Sequence, residues 1–136
     1  MNLVDTSGWI EYFFEGPNAH YFSKPIEDTK HLIVPVICLY EVFKKVNTVA
    51  NEAKALQAIA QMKQGQIIDL IEDIALRASL VSLQHKLSMA DSFIYATAQI
   101  RNALLWTQDE HFRSLPNVNY KETRTKKATR RSKPLR

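Results

Sequence analysis

Four carboxylates stand where they could do chemistry: Asp5 in "VDTS", Glu41 in "PVICLYEV", Asp91 in "MADSFIYATA" and Asp109 in "LLWTQDEHF". Each has an ordinary local explanation. Asp5 can cap a helix starting near Ser7, and Ser88 and Asp91 have the spacing of a capping box. Glu41 can pair with Lys45 one helical turn on, and Asp109 can cap the short turn "EHFRSL". Together these explanations leave a cost unanswered. Glu41 stands among Cys38, Leu39 and Val42, Asp91 stands among Ala90, Phe93 and Ile94, and no Lys or Arg lies within two positions of Asp5, Asp91 or Asp109. A carboxylate in apolar surroundings is destabilising unless a cation compensates it. A divalent metal ion is the natural partner. All-oxygen ligands suit Mg2+ or Mn2+, and such an ion beside a phosphate supports metal-assisted phosphodiester hydrolysis.

Other chemistries find little support. The four histidines (His20, His31, His85, His111) have no paired ligand spacing and there is no second cysteine, so a zinc site is not expected and the histidines read as surface or packing residues. Cys38, in an apolar stretch, reads as a small buried hydrophobe. The chain has neither a Gly-rich phosphate loop nor a GxSxG elbow. A phosphorylatable receiver domain would need paired acids after its first strand, but Asp5 is followed by Thr6 and Ser7.

The elements that must position these acids alternate between two lengths. Short apolar runs predict strands over 2–5, 31–34, 66–70, 104–107 and 118–121, several apolar throughout, as strands buried on both faces should be. Helical spacing predicts helices over 7–15, 19–28, 36–46, 51–63, 71–86 and 89–102. In the fifth, Ile71, Ile74, Ala75, Ala78 and Leu83 mark the expected buried face. This alternation is that of an α/β domain with a short, mostly parallel sheet. In such a sheet the carboxyl ends of the strands and the starts of the following helices share one edge, where ligands bind. All four acids fall at that edge.

The chain has 136 residues, enough for one core. Its charge is unevenly divided. Residues 121–136 carry eight Lys or Arg against Glu122, a local +7, while residues 1–120 carry ten basic and thirteen acidic side chains, −3. The expected organisation is a folded domain over 1–122 and a basic, disordered tail over 123–136 that can attach to nucleic-acid phosphates. No apolar run reaches the roughly 20 residues that cross a bilayer, and no secretory signal is visible, so a cytoplasmic location is expected.

The quoted pieces, in their order and spacing, resemble the PIN domain and, within it, the VapC-type toxins of toxin–antitoxin pairs. "LLWTQDEHF" matches that family's T-x-D-x-x-F ending through Thr107, Asp109 and Phe112, and the resemblance spans about residues 2–121. It implies a three-layer α/β/α sandwich and a Mg2+- or Mn2+-dependent endoribonuclease. It also implies Asp5, Glu41, Asp91 and Asp109 as the acidic ligands, with Thr107, Thr6 and Ser7 supporting them by hydrogen bonds. The implied partners are RNA, a second copy of the chain, and an antitoxin that places a basic side chain, Arg, among the carboxylates. For the homodimer, the apolar "WIEYFF" and the 51–63 helix are candidate faces. The alternative is a non-catalytic PIN-like module that binds RNA or protein; four clustered acids argue against it, because without metal they repel phosphate.

Overall fold

The computed structural model describes residues 1–124. The expected basic tail therefore lies, from residue 125 onward, outside the described residues. Five parallel strands form one sheet in the order β3-β2-β1-β4-β5: β1 (Asn2–Val4), β2 (Leu32–Pro35), β3 (Gln66–Ile68), β4 (Leu104–Thr107) and β5 (Val118–Tyr120). Six helices flank it: α1 (Thr6–Phe13), α2 (Ala19–Glu27), α3 (Val36–Val49), α4 (Glu52–Met62), α5 (Glu72–His85) and α6 (Met89–Ile100). The α/β sandwich is as expected, and the sheet is parallel in every pairing rather than mostly so. Parallel strands need long crossovers and are covered on both faces. Accordingly Leu3, Val4, Ile33, Val34 and Leu105 have no solvent exposure.

Local signals fix three of the six helix starts. Asp5, Asn51 and Ser88 each accept a hydrogen bond from the backbone N–H three residues on, the N-cap geometry their types favour. Gly8 is required by close approach: a Cβ there would come within 2.6 Å of Val4 Cγ1. That absence of a side chain lets the first turn of α1 sit directly against β1 and Phe22.

Two expected faces are borne out only in part. In α5 Ile74 and Ala78 of the expected face are buried, joined by Val81, and Ala75 is half-buried, but Ile71 and Leu83 face solvent, as do Leu76 and Leu80, Leu83 at 79% exposure. The helix rests on α6 through its small residues, leaving the leucines of the opposite stripe uncovered. "WIEYFF" is not a free face either. Trp9 is fully buried and stacks on Phe13 with ring centroids 5.6 Å apart, so most of this apolar surface is already used inside the core.

The topology positions the site. Strand order reverses between β1 and β4, which leaves a crevice at their carboxyl ends, the usual ligand position in open parallel sheets. Asp5 follows β1 directly, Asp109 follows β4 by two residues, and α3 and α6 bring Glu41 and Asp91 from either side.

Candidate active site

Asp5 is both a helix cap and the floor of this crevice. Its Oδ1 accepts from the Gly8 N–H at 3.0 Å and the Ser7 hydroxyl at 2.7 Å, and its Oδ2 accepts from the Thr107 hydroxyl at 2.7 Å. The pairing of Val4 with Trp106, continued by Asp5 N–H to the Trp106 carbonyl at 3.1 Å, places Asp5 beside Thr107. Thr107 is itself fully buried and accepts the Asp109 N–H at 2.8 Å. One hydroxyl thus ties two carboxylate-bearing segments together. Ser7 adds a second link by accepting the Gln108 N–H at 3.2 Å.

Glu41 does not form the expected pair with Lys45. Its Oε1 instead accepts the Thr6 hydroxyl from the first turn of α1, across 35 residues of sequence. Half of the expected capping box at Asp91 is present. Its N–H goes to Ser88 Oγ at 3.3 Å, and its carboxylate turns toward Asp109 and His111, 3.7 Å from His111 Nδ1. Asp109 accepts the His111 N–H at 2.9 Å, capping a short 3-10 turn over Glu110–Phe112, and its Oδ1 lies 3.0 Å from His111 Nδ1.

The electrostatics follow from burial without a counter-charge. Asp5, 2% exposed, has its carboxyl pushed up from 3.8 to about 7 by burial, against the opposing pull of its three hydrogen bonds. Asp91 is pushed up to about 6, by burial first and then by the negative charges of Asp109 and Glu41, with His111 opposing. The field of Asp109 acts on Asp5 as well, and that of Glu41 on Asp91, so the four acids form one electrostatic group. Among the described residues no Lys or Arg forms an ion pair with any of them. Beneath them the Cys38 thiol is pushed up strongly, by burial first and then by Asp5, Glu41 and Asp91, and so stays an inert neutral group.

All seven residues singled out in the sequence therefore surround one crevice, and an eighth joins them; Asp5 and Glu41 lie outside its tightest group of ligand atoms, which is Asp91, Asp109 and His111. His111, expected to be an ordinary surface residue, contributes a ring nitrogen that lies with oxygens of Asp91 and Asp109 within 4.8 Å of one another, a group able to hold a metal ion. The signal available was its position two residues after Asp109, where the 3-10 turn folds the ring back over the carboxylate.

The PIN domain family profile matches residues 3–118. The chain belongs to the PIN-domain family. Members of this family are typically nucleases. A toxin–antitoxin complex from Klebsiella pneumoniae contains a chain similar to this PIN domain at 25% identity. The match covers 90% of this chain and all of that one, with a TM-score of 0.74. The sarcin–ricin-loop-cleaving toxin VapC20 of Mycobacterium tuberculosis is 16% identical over 92% of this chain and all of its own, with a TM-score of 0.72. VapBC2 from Rickettsia felis, bound to a promoter DNA fragment, is 16% identical over 89% of this chain and 97% of its own, with a TM-score of 0.68. At 16% identity these last two likenesses concern the fold. No curated protein matches the chain.

Proposed function

We propose that this PIN domain is a metal-dependent endoribonuclease, the toxin of a toxin–antitoxin pair, with Asp5, Glu41, Asp91 and Asp109 as its acidic ligands. The observation that carries this reading is the convergence of four carboxylates, two with raised pKa, at a strand-end crevice where, among the described residues, no Lys or Arg forms an ion pair with them. The toxin reading is supported by the fold shared with VapC20 and by the toxin–antitoxin complex from Klebsiella. A cognate antitoxin and a cytoplasmic location go with it.

The donor set fits a hard divalent cation, because the acids supply oxygens, the ligands preferred by Mg2+ and Mn2+. When bound, such an ion supplies charge neutralisation at the scissile phosphate and makes water acidic enough to act as the nucleophile. This chain's residues do the positioning. The Asp5 carboxylate is held in one orientation by Thr107, Ser7 and the Gly8 N–H, and Thr6 holds Glu41. Thr107 also fixes the backbone of Asp109, so the acids keep their spacing before RNA arrives. Preorganisation of this kind is the main route by which a site stabilises developing charge.

The test is cleavage of a mixed RNA pool in Mn2+ or Mg2+, beside the Asp91→Asn variant and an EDTA control, with circular dichroism on both proteins. The expected result is cutting by the parent and a loss of roughly 10²- to 10³-fold in the folded variant. No cutting by the parent in either metal would sink the reading and leave the non-catalytic binding module, while equal cutting by both folded proteins would remove Asp91 from the catalytic set.

A second copy of the chain is proposed to cover α5. Leu76, Leu80 and Leu83 form a stripe on one face, each at least 59% exposed, and Met89 at the start of α6 is 72% exposed. The chain should run as a dimer in light scattering, and Leu80→Glu with Leu83→Glu should run as a monomer. A monomeric parent would remove this assignment.

A further inference from the structure

We propose that Tyr40 is a stacking platform for an unpaired nucleobase next to the scissile phosphate. The proposal rests on the nuclease reading above and names a substrate-positioning residue of that same site. Tyr40 immediately precedes Glu41 on α3 and is 60% exposed. It shares with Glu41, Asp109, Lys44 and Lys45 a cleft of about 590 Å3. The cleft therefore combines two acids of the crevice with two lysines and an aromatic ring of α3. A phosphodiester chain crossing it would meet the acidic ligands at one phosphate and the lysines at the next. The base between would lie at the ring.

The ring already has a cationic neighbour. Lys44 Nζ sits 5.7 Å from the Tyr40 centroid, a cation–π distance. An arriving base competes for that face, and the displaced ammonium is then free to meet the adjacent phosphate. A stacked base inside a duplex presents no free face, so paired RNA cannot use the platform, whereas unpaired bases commonly stack on such rings. Phe14, Met89 and the α5 leucines are also exposed, but none of them lines this cleft. Tyr40 and Lys44 also border an apolar hollow with Leu39, Phe43 and Ile59, but this cleft adds Glu41, Asp109 and Lys45, and that charge pattern favours a nucleotide here.

The test measures binding apart from cutting. Short single-stranded RNAs with 2-aminopurine at successive positions are titrated in Mg2+ against the Asp91→Asn protein, with Tyr40 intact or replaced by Phe or Leu. One label position should be quenched when Tyr40 is intact and in Tyr40→Phe, but not in Tyr40→Leu, whose Kd should rise about 5- to 150-fold, the range for one stacked base. Lys44→Gln and Lys45→Gln should each lower the salt dependence, log Kd against log salt, by about 0.7. Equal Kd and equal quenching with Tyr40 intact and in Tyr40→Leu would overturn the proposal and leave the ring to a protein partner. Tighter binding of duplex than of single-stranded RNA would overturn it too. If the parent cuts no RNA yet shows Tyr40-dependent quenching, the nuclease reading fails while the platform stands; cutting without Tyr40 dependence sinks the platform alone.

Discussion

Asp5→Asn is expected to make the metal-free protein more stable at pH 8 while cutting RNA cleavage by roughly 10²- to 10³-fold. The stability gain follows from the carboxyl's pKa, raised by burial from 3.8 to about 7. Between those two values the folded state keeps a proton that the unfolded chain has released, so stability falls as pH rises from about 4 to about 7 and is flat above. At about 1.4 kcal/mol per pKa unit, the ionised carboxylate costs up to about 4 kcal/mol at pH 8. Asn has no charge to bury, but its amide faces one hydroxyl or N–H the wrong way, a loss of about 1 to 3 kcal/mol. A net gain of about 1 to 3 kcal/mol is expected at pH 8 and none at pH 4, where wild-type Asp5 already holds its proton. Denaturant melts of the EDTA-treated proteins at both pH values measure it. If the variant is less stable than the parent at pH 8, the hydrogen bonds of Asp5 outweigh the cost of its buried charge, and the carboxylate does not call for a cation.

Metal affinity should collapse on acidification. Asp5 and Asp91 must both be ionised to act as ligands, and their carboxyls titrate near about 7 and about 6. Affinity is therefore flat above pH 7, falls with one proton taken up per ion between 7 and 6, and with two below that. From pH 8 to pH 5 the Kd for Mn2+ should rise about 10³-fold, about 4 kcal/mol. Calorimetric titration at the two pH values, repeated in buffers of different ionisation enthalpy, reads both the affinity and the protons released. A Kd that varies less than tenfold across this range would show that the ion is held by groups other than these two acids. The same linkage makes the protein's thermal stabilisation by Mn2+ large at pH 8 and small at pH 5.

The pattern of strand-length and helix-length runs was legible from residue types alone, because it is set by local rules. The apolar runs at Leu32–Pro35 and Leu104–Thr107 carry the strands, and Asn51 and Ser88 mark helix starts by hydrogen bonds spanning three residues. The acids were legible for a related reason: a carboxylate among apolar neighbours signals an uncompensated charge wherever the chain goes next. What failed was inference about the extent of faces. Helical spacing found Ile74 and Ala78 of the buried α5 face but not where that face ends, since packing drew in Val81 and left Ile71 and Leu83 outside.

The site itself was decided by contacts between residues far apart in sequence. Whether Asp5 caps α1 or belongs to a site is not an alternative in the folded protein. One oxygen serves the helix while the other meets Thr107, which is 102 residues away. Glu41 could have paired with Lys45 one turn along its own helix; the approach of α1 to α3 gave it Thr6 instead. His111 stands two residues after Asp109, but its approach to Asp91 on α6 has no counterpart in spacing, and the 3-10 turn brings its ring to both. Residue types and short-range spacing determined which elements form and which charges need a partner. Their meeting point was decided by the parallel register of β1 with β4 and by the packing of α1 on α3, since hydrogen bonds and Coulomb fields act over a few ångströms of space whatever the separation along the chain.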